Sequence, residues 1–489
     1  MLEKPAFRFF MFKFKGGYGM NIWVTKTPEQ LHEAAEHSGL KKTLTAWDLA
    51  ALGIGSVVGA GIFASTGKAA LLAGPAVIIS FIVAAITAGL CALTYSELAA
   101  MFPVSGSTYS YSYVAFGELI AWIIGWDLML EYLVSAAGVA SAWSGVFQGL
   151  IGQAGIALPK FLAGAPIAEA NGIISANPGG FIDLPAVLVT LFITCILYVG
   201  VKESANMNNI MVIIKIAVVV LFIVLGCANI NVTHFKPFMP FGWGGVMAGA
   251  AAIFFAYIGF DAVSTAAEET ERPERDVPLG LVICLGVIIV IYIGVAIGLI
   301  GLVSYDQVNV NDTLPAALST IGIGWGSALV AIGGVLGMIS TLLVTVYGQI
   351  RIFMVMSRDG LLPKYFATIH PKHKTPHICT WITGVATALI AGFLPLPMIL
   401  DLCVIGTLFA FILVSIGVII LRKTRPDIER KFKCPGVPFT PLLTIFFCVY
   451  LMISLGVPTW IRFFVWLIIG LIIYFSYSVR HSELQKAAK

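Results

Sequence analysis

The sequence predicts an all-α integral membrane protein that crosses the bilayer about twelve times. Three observations carry this expectation. Of 489 residues, 59% are hydrophobic and 11% charged, and the mean hydropathy of +0.95 exceeds that of soluble globular chains. Apolar stretches of about 20 residues, the length a spanning helix needs, recur along the whole chain. Runs such as MVIIKIAVVVLFIVLGC, residues 211–227, lack the apolar–polar alternation of a membrane β-barrel strand.

Residues 1–43 form an N-terminal segment. MLEKPAFRFFMFKFKGGYGM is basic and aromatic, and charge interrupts it too often for a secretory signal. It reads as a membrane-surface stretch, or as sequence preceding a natural start at Met20. TPEQLHEAAEHSGL has helical spacing with Thr27 as N-cap, and reads as a short amphipathic helix. Spans are expected near 46–69, 73–98, 118–150, 182–201, 207–229, 244–267, 279–303, 326–355, 377–393, 397–421, 440–456 and 459–478, followed by a tail at 480–489.

The net charge of +4 matters less than its distribution. With the N-terminus inside, Lys4, Arg8, Lys13, Lys15, Lys26, Lys41 and Lys42 fall on the cytoplasmic side. So do the loops SRDGLLPKYFATIHPKHKTPH and RKTRPDIERKFK and the tail with Arg480, Lys486 and Lys489. Lys68, Lys160, Lys236 and Arg462 fall opposite. The positive-inside bias therefore places both termini in the cytoplasm of a cell-membrane protein surrounded by lipid. Basic residues scattered over separate loops, without aromatic interleaving, exclude a nucleic-acid partner. The eight cysteines lie mostly in apolar spans without a CxxC and read as small core residues. His370, His373 and His377 lack companion ligands at metal-site spacing and read as a solvated loop. No metal, cofactor or enzymatic motif such as HExxH or GxSxG appears, and no repeated filter loop or charge ring suggests a channel.

LGIGSVVGAGIF, residues 52–63, places four glycines in one apolar span. Gly55 and Gly59 match GxxxG, a close-packing face. Gly53, Gly55 and Gly59 also fit a nucleotide-binding string, which needs a preceding β-strand that is missing here. The third reading is a deliberate interruption: broken helices at mid-membrane line substrate sites, and they come in pairs, one per repeat. The sixth span, AAIFFAYIGFDAVSTAAEE, supplies the second, with Gly259 in an apolar run and Asp261 as the N-cap of a second half-helix. An interrupted helix presents N–H groups that suit a carboxylate and C=O groups that suit an ammonium. Main chain alone can therefore hold a zwitterionic L-amino acid.

Five motifs in order, GIGSVVGAGIF, SELAAMFPVSGSTYSYSY, FFAYIGFDAVSTAAEETERPERDVP, SRDGLLP and RKTRPDIERKFKCPGVPFTP, resemble the amino acid–polyamine–organocation superfamily. Within it, the chain resembles the bacterial relatives of cationic amino acid transporters from about residue 43 onward. The resemblance implies two inverted five-helix repeats, 44–230 and 240–422, with helices 11–12 at 436–479, working by alternating access. It implies that the substrate carboxylate meets the amides of Gly59, Ala60 and Gly61. The ammonium would meet carbonyls of Val57, Phe255, Ala256 and Ile258, with Phe255 closing over the substrate. Ser135 of the SAAG run reads either as a wall of the side-chain pocket or as helix packing, and Thr345, which shares a helix face with Thr341, would line the pocket, with Met338 as filler. A small polar Thr345 suits a small neutral or a longer cationic substrate.

Lys215 stands alone in span 5. Snorkelling to the cytoplasmic face is one reading. The resemblance implies another: its amine replaces the sodium of sodium-coupled relatives, against carbonyls of Gly55 and Val58 and hydroxyls of Ser340 or Thr341. Burial disfavours a charged amine, so a lysine cycling between exposed and buried states couples transport to protons. Exchange of one amino acid for another without protons is the alternative. Asp127 and Glu131 also lie at membrane depth, Glu131 reading either as a structural partner or as a contact for a cationic substrate. The acidic and basic cluster Glu268 to Asp276 reads as a solvated loop with internal ion pairs, or as an inner latch.

Overall fold

The computed structural model describes residues 22–27, 43–104, 106–170, 173–200, 205–373 and 375–487; the expected amphipathic helix after Thr27 lies outside them. Among the described residues, eight helical stretches are long and apolar enough to cross a membrane. Four shorter apolar helices, Ala46–Val57, Leu184–Val199, His377–Phe393 and Phe439–Ser454, complete the set. Span 1 comprises Ala46–Val57, a π-helical turn at Gly61–Ser65 and Thr66–Ala73; span 2 is Val77–Met101 and span 3 Glu118–Gln153. Leu184–Val199 and Ala205–Ala228 are spans 4 and 5, and span 6 is split into Gly242–Phe254, Phe255–Tyr257 and Ala262–Thr265. Pro273–Leu302, Gly324–Arg358, His377–Phe393, Leu396–Thr424, Phe439–Ser454 and Val457–Ile473 are spans 7 to 12.

Local chemistry sets the ends. Thr45 caps span 1 through a reciprocal box with Asp48, two orphan donors satisfied at once. Asp183 caps span 4 by accepting from Ala186 N, and Gly200 at φ +95 ends it. Span 4 is therefore shorter than the hydropathy window 182–201 suggests, because the window takes in the two cap residues and their outer neighbours, which flank the helix and are not part of it. The sequence reading also misses an antiparallel hairpin, Ile167–Ala170 with Ile173–Ala176, in the connection between spans 3 and 4. Glu169 anchors it to Arg462 of span 12 at 2.8 Å.

Spans 3 and 8 share the largest helix contact, followed by spans 2 and 7 and spans 3 and 10. Around this core, Ile213, Val290, Phe446 and Ile472 stand exposed, an arrangement that costs free energy in water and little in hydrocarbon.

The described chain ends meet on one face of the bundle, here the terminal face. Val24 O and Ile22 O accept the first amides of span 3, from Glu118 and Leu119 at 3.0 and 3.1 Å. Lys26 Nζ lies 2.7 Å from Asp359 Oδ1, and Tyr109 OH donates to Asp359 Oδ2 at 2.6 Å. From the tail, Gln485 Nε2 donates to Glu118 Oε1 at 3.1 Å. On the same face Arg422 grips Glu97 with two bonds of 2.9 and 2.6 Å; a carboxylate 1% exposed is tolerated there because both oxygens are matched by a fork of donors. The 268–276 loop holds an internal ion pair, Arg272–Asp276 at 3.4 Å, and reaches the next loop through Glu274–Lys431 at 2.8 Å. The segments flanking the two broken spans are tied together on this face: Thr43 N and Leu44 N donate to Glu269 O, each at 2.9 Å, and Glu271 N to Leu44 O at 3.0 Å.

Candidate functional site

The first half of span 1 stops at Val57. Val58 adopts φ −76 and ψ 87 and donates to Ile54 O at 2.8 Å. In span 6 the helix tightens to a 3-10 turn at Phe255–Tyr257, Ile258 is extended at φ −65 and ψ 142, and Gly259 takes φ +108, a region open to glycine because it has no Cβ. The two interruptions touch at Gly61, where a methyl group would lie 2.4 Å from Ala256 Cα. Hydrogen alone fits.

Such breaks leave carbonyls at the end of one half-helix and amides at the start of the next without helical partners, and buried main chain must find others. Gly55 O accepts from Lys215 Nζ at 2.6 Å. The Tyr292 hydroxyl of span 7 lies 3.1 Å from Val57 O and 3.0 Å from Ala256 O. One proton is thus shared between the last carbonyl of the first half of span 1 and a carbonyl of the span 6 break. Each carbonyl has a second lone pair that this hydroxyl leaves open. Gly59, Ala60 and Gly61 stand at the other edge of the span 1 gap, at the N-terminal, amide-presenting end of the second half. The site therefore has a carbonyl edge and an amide edge.

Lys215 is 3% exposed and does not snorkel: its stem lies along Gly337, where a Cβ would be 2.9 Å from Lys215 Cγ. Its Nζ donates to Thr341 Oγ1 at 2.9 Å, and that oxygen lies 3.3 Å from Gly337 O. Thr341 can accept from the lysine while donating to its own helix. A methyl at Gly59 would strike the same Thr341 Oγ1 at 2.6 Å, so span 5, span 8 and the span 1 break converge on one hydroxyl. Val58 is fully buried beside it and Ser340 half-buried on span 8; the hydroxyl seen on the amine is that of Thr341.

The side chains expected to wall a pocket beside the breaks have mostly apolar neighbours. Phe255 is 5% exposed, and a methyl at Gly138 would sit 3.5 Å from its ring, 3.3 Å from Ile399 and 3.5 Å from Leu400. Close approaches of Gly125 to Met356 and of Gly348 to Tyr132 set the antiparallel register of spans 3 and 8, which brings Ser135 level with Thr345. Thr345 Oγ1 donates to Thr341 O at 2.8 Å, and Met338 is fully buried filler. Asp261 occupies the N-cap position of Ala262–Thr265, where its main-chain carbonyl takes Ser264 N at 2.9 Å and Ser264 Oγ at 2.7 Å and its carboxylate faces the main-chain amides of Gly259 and Ala262. Asp127 and Glu131 are buried, and among the described residues neither forms an ion pair.

Two features escape sequence reasoning. Tyr292 is a single tyrosine in an apolar span, a pattern that ordinary packing also produces. Lys68, expected on the side opposite the termini, lies there in the second half of span 1 and pairs with Asp401 of span 10 at 2.6 Å. The opposite charges in two spans were the available signal, but nothing in the sequence pairs them.

A membrane-embedded carrier with two facing helix breaks is the class that fold and site define. The chain belongs to the amino acid permease family, whose description it matches over residues 44–475. It is 47% identical over 448 residues to a branched-chain amino acid permease, BcaP, of Bacillus subtilis, covering 91% of this chain and 95% of that one. A methylthioribose transporter of the same organism is 44% identical over 467 residues, covering 95% of this chain and 100% of the relative. The vacuolar cationic amino acid transporter 4 of Arabidopsis thaliana is 30% identical over 573 residues, with 92% and 93% covered.

Tyr292→Phe keeps the ring and removes the shared proton. The Michaelis constant for amino acid uptake is expected to rise about fivefold to thirtyfold, equivalent to about 1–2 kcal/mol for a lost buried hydrogen bond. An unchanged constant in the folded variant would show that the carbonyl edge is held without it.

Proposed function

We propose that the protein imports a neutral, apolar L-amino acid of the branched-chain class together with a proton, by alternating access in the cell membrane. The terminal face is then cytoplasmic and the Lys68–Asp401 pair closes the outer side. Relatives of similar identity carry names with different cargoes, so the site must choose between them. A carbonyl edge facing an amide edge suits an α-ammonium and an α-carboxylate, which methylthioribose lacks. The wall of Phe255, Ile399 and Leu400 suits an aliphatic side chain better than the cationic one named for the more distant relatives.

The observation that carries the coupling is the placement of Lys215 Nζ on Gly55 O and Thr341 Oγ1. Lysine takes the part of a coupling cation and ties the first half of span 1 to span 8. When that half moves to open the inner side, Gly55 O leaves the amine, the proton departs, and the empty carrier returns. The halves 44–230 and 240–422 supply the moving parts, with membrane lipid around them.

Proteoliposomes given an inside-alkaline pH gradient test this directly. Labelled leucine should accumulate above its external concentration without internal amino acid, and arginine should not. Uptake that requires internal leucine and ignores the gradient would identify an exchanger and sink the coupling; uptake of arginine in preference to leucine would sink the cargo assignment.

A further inference from the structure

On the face opposite the termini, between the end of span 3 and the short helix Thr313–Thr320, lies an open pocket of about 380 Å³. Gly149 and Gln153 line it from one side, Asp312, Ala316, Ser319 and Thr320 from the other. Asp312 is 7% exposed, and among the described residues its Oδ1 has no hydrogen-bond partner. Its Oδ2 lies so close to span 3 that a methyl at Gly149 would sit 2.2 Å away. The glycine makes room for a carboxylate where a packed interface would place an apolar group. An unpartnered carboxylate costs free energy where it is buried, and no structural bond recovers that cost here.

The other polar groups point to the ligand. Gln153 Nε2 donates one of its two N–H groups to Ser327 Oγ at 3.0 Å, and its carbonyl oxygen is left to accept. Thr320 Oγ1 donates to Ala316 O at 2.9 Å, which leaves its lone pairs. Acceptors dominate the lining, and no lysine or arginine is part of it. A ligand must therefore bring donors and positive charge. A bare metal ion wants several oxygens converging at about 2.0–2.6 Å, which one carboxylate in so roomy a space does not offer, whereas small organic ligands occupy cavities of about 300–1,000 Å³.

We propose that this cavity is an outer binding site for the ammonium end of an organic amine, the amino acid cargo included, occupied before the cargo reaches the breaks. The outer sidedness and the identity of the cargo rest on the function proposed above; the amine site itself does not. Burial pushes the Asp312 carboxyl up to about 7. The short helix packs against spans 3, 5, 7 and 8 and the π turn of span 1. None of these brings a charged group to bear on Asp312, for which desolvation is the sole cause of the shift. The carboxyl is thus neutral below about pH 7 and anionic above it, and amine binding strengthens as pH rises.

Calorimetric titration of butylammonium chloride into the purified full-length protein is the test. Binding should be about tenfold tighter at pH 8 than at pH 6, the change in ionised fraction of a group titrating at about 7. Asp312→Asn should weaken it at least tenfold at pH 8, and Gly149→Ala, which drives a methyl into the carboxylate, should weaken it as well, with thermal unfolding showing both variants folded. Equal binding to the wild type and a folded Asp312→Asn, or no tightening with pH, overturns the site. In proteoliposomes Asp312→Asn should raise the Michaelis constant for external leucine threefold or more and leave that for efflux of internal leucine unchanged. An equal rise from both sides overturns the outer role. Butylammonium reports on the cavity even if leucine proves not to be the cargo, so the two proposals fail separately.

Discussion

Lys215→Met is expected to abolish pH-driven accumulation of leucine while exchange of internal for external leucine continues. The methionine stem keeps the packing against Gly337 and removes the amine that bonds Gly55 O at 2.6 Å and Thr341 Oγ1 at 2.9 Å. With one proton carried per cargo, a gradient of one pH unit stores about 1.4 kcal/mol and sustains about tenfold accumulation. Without the titrating group the ratio should fall to about one at every gradient. Losing two bonds from a charged donor also frees the first half of span 1 by about 1.5–3 kcal/mol per bond, which should show as faster opening of the terminal face to a thiol reagent at an introduced cysteine. Uphill uptake that persists in Lys215→Met would remove this residue from the coupling.

Gly61→Ala should stop transport of any cargo, a loss of about a hundredfold or more. The added methyl would sit 2.4 Å from Ala256 Cα and 2.9 Å from Ala256 Cβ. These are main-chain and near-main-chain atoms that cannot rotate aside, so the two breaks must separate. Overpacking of this kind costs about 1–3 kcal/mol and more where backbone must shift, and the separation would pull Ala256 O from the proton that Tyr292 shares with Val57 O. Gly89→Ala is the comparison: nothing lies within 4 Å of its added methyl, and in a helix alanine is favoured over glycine by about 1 kcal/mol. Uptake in Gly89→Ala should equal that of the wild type. Wild-type uptake in Gly61→Ala would mean that the contact between the breaks is not needed for the cycle.

Much of this architecture was legible in the chain. Apolar runs of spanning length located the helices, and the glycine cluster at Gly53, Gly55, Gly59 and Gly61 together with Gly259 located both breaks, since only a lined gap excuses so many helix breakers in hydrocarbon. Lys215 announced itself as a solitary charge among aliphatic neighbours. The hairpin at 167–176 was missed because its strands are four residues each and depend on an ion pair to a residue in span 12. Asp312 carries no signal in the sequence, since its close approach to Gly149 joins it to another span.

Sequence by itself determined that the protein lives in a membrane, that it spans it as helices, and where those helices fail, because each of these follows from the local balance between apolar side chains, glycine and unpaired main chain. Tertiary structure alone decided what fills the gaps: Tyr292 between two carbonyls, the Thr341 hydroxyl on the Lys215 amine where Ser340 was an equal expectation, and Lys68 on Asp401 across 333 positions of chain. A helix presents its polar groups to whichever neighbour the packing delivers, and the identity of that neighbour is a property of distance in space, on which separation along the chain carries no information.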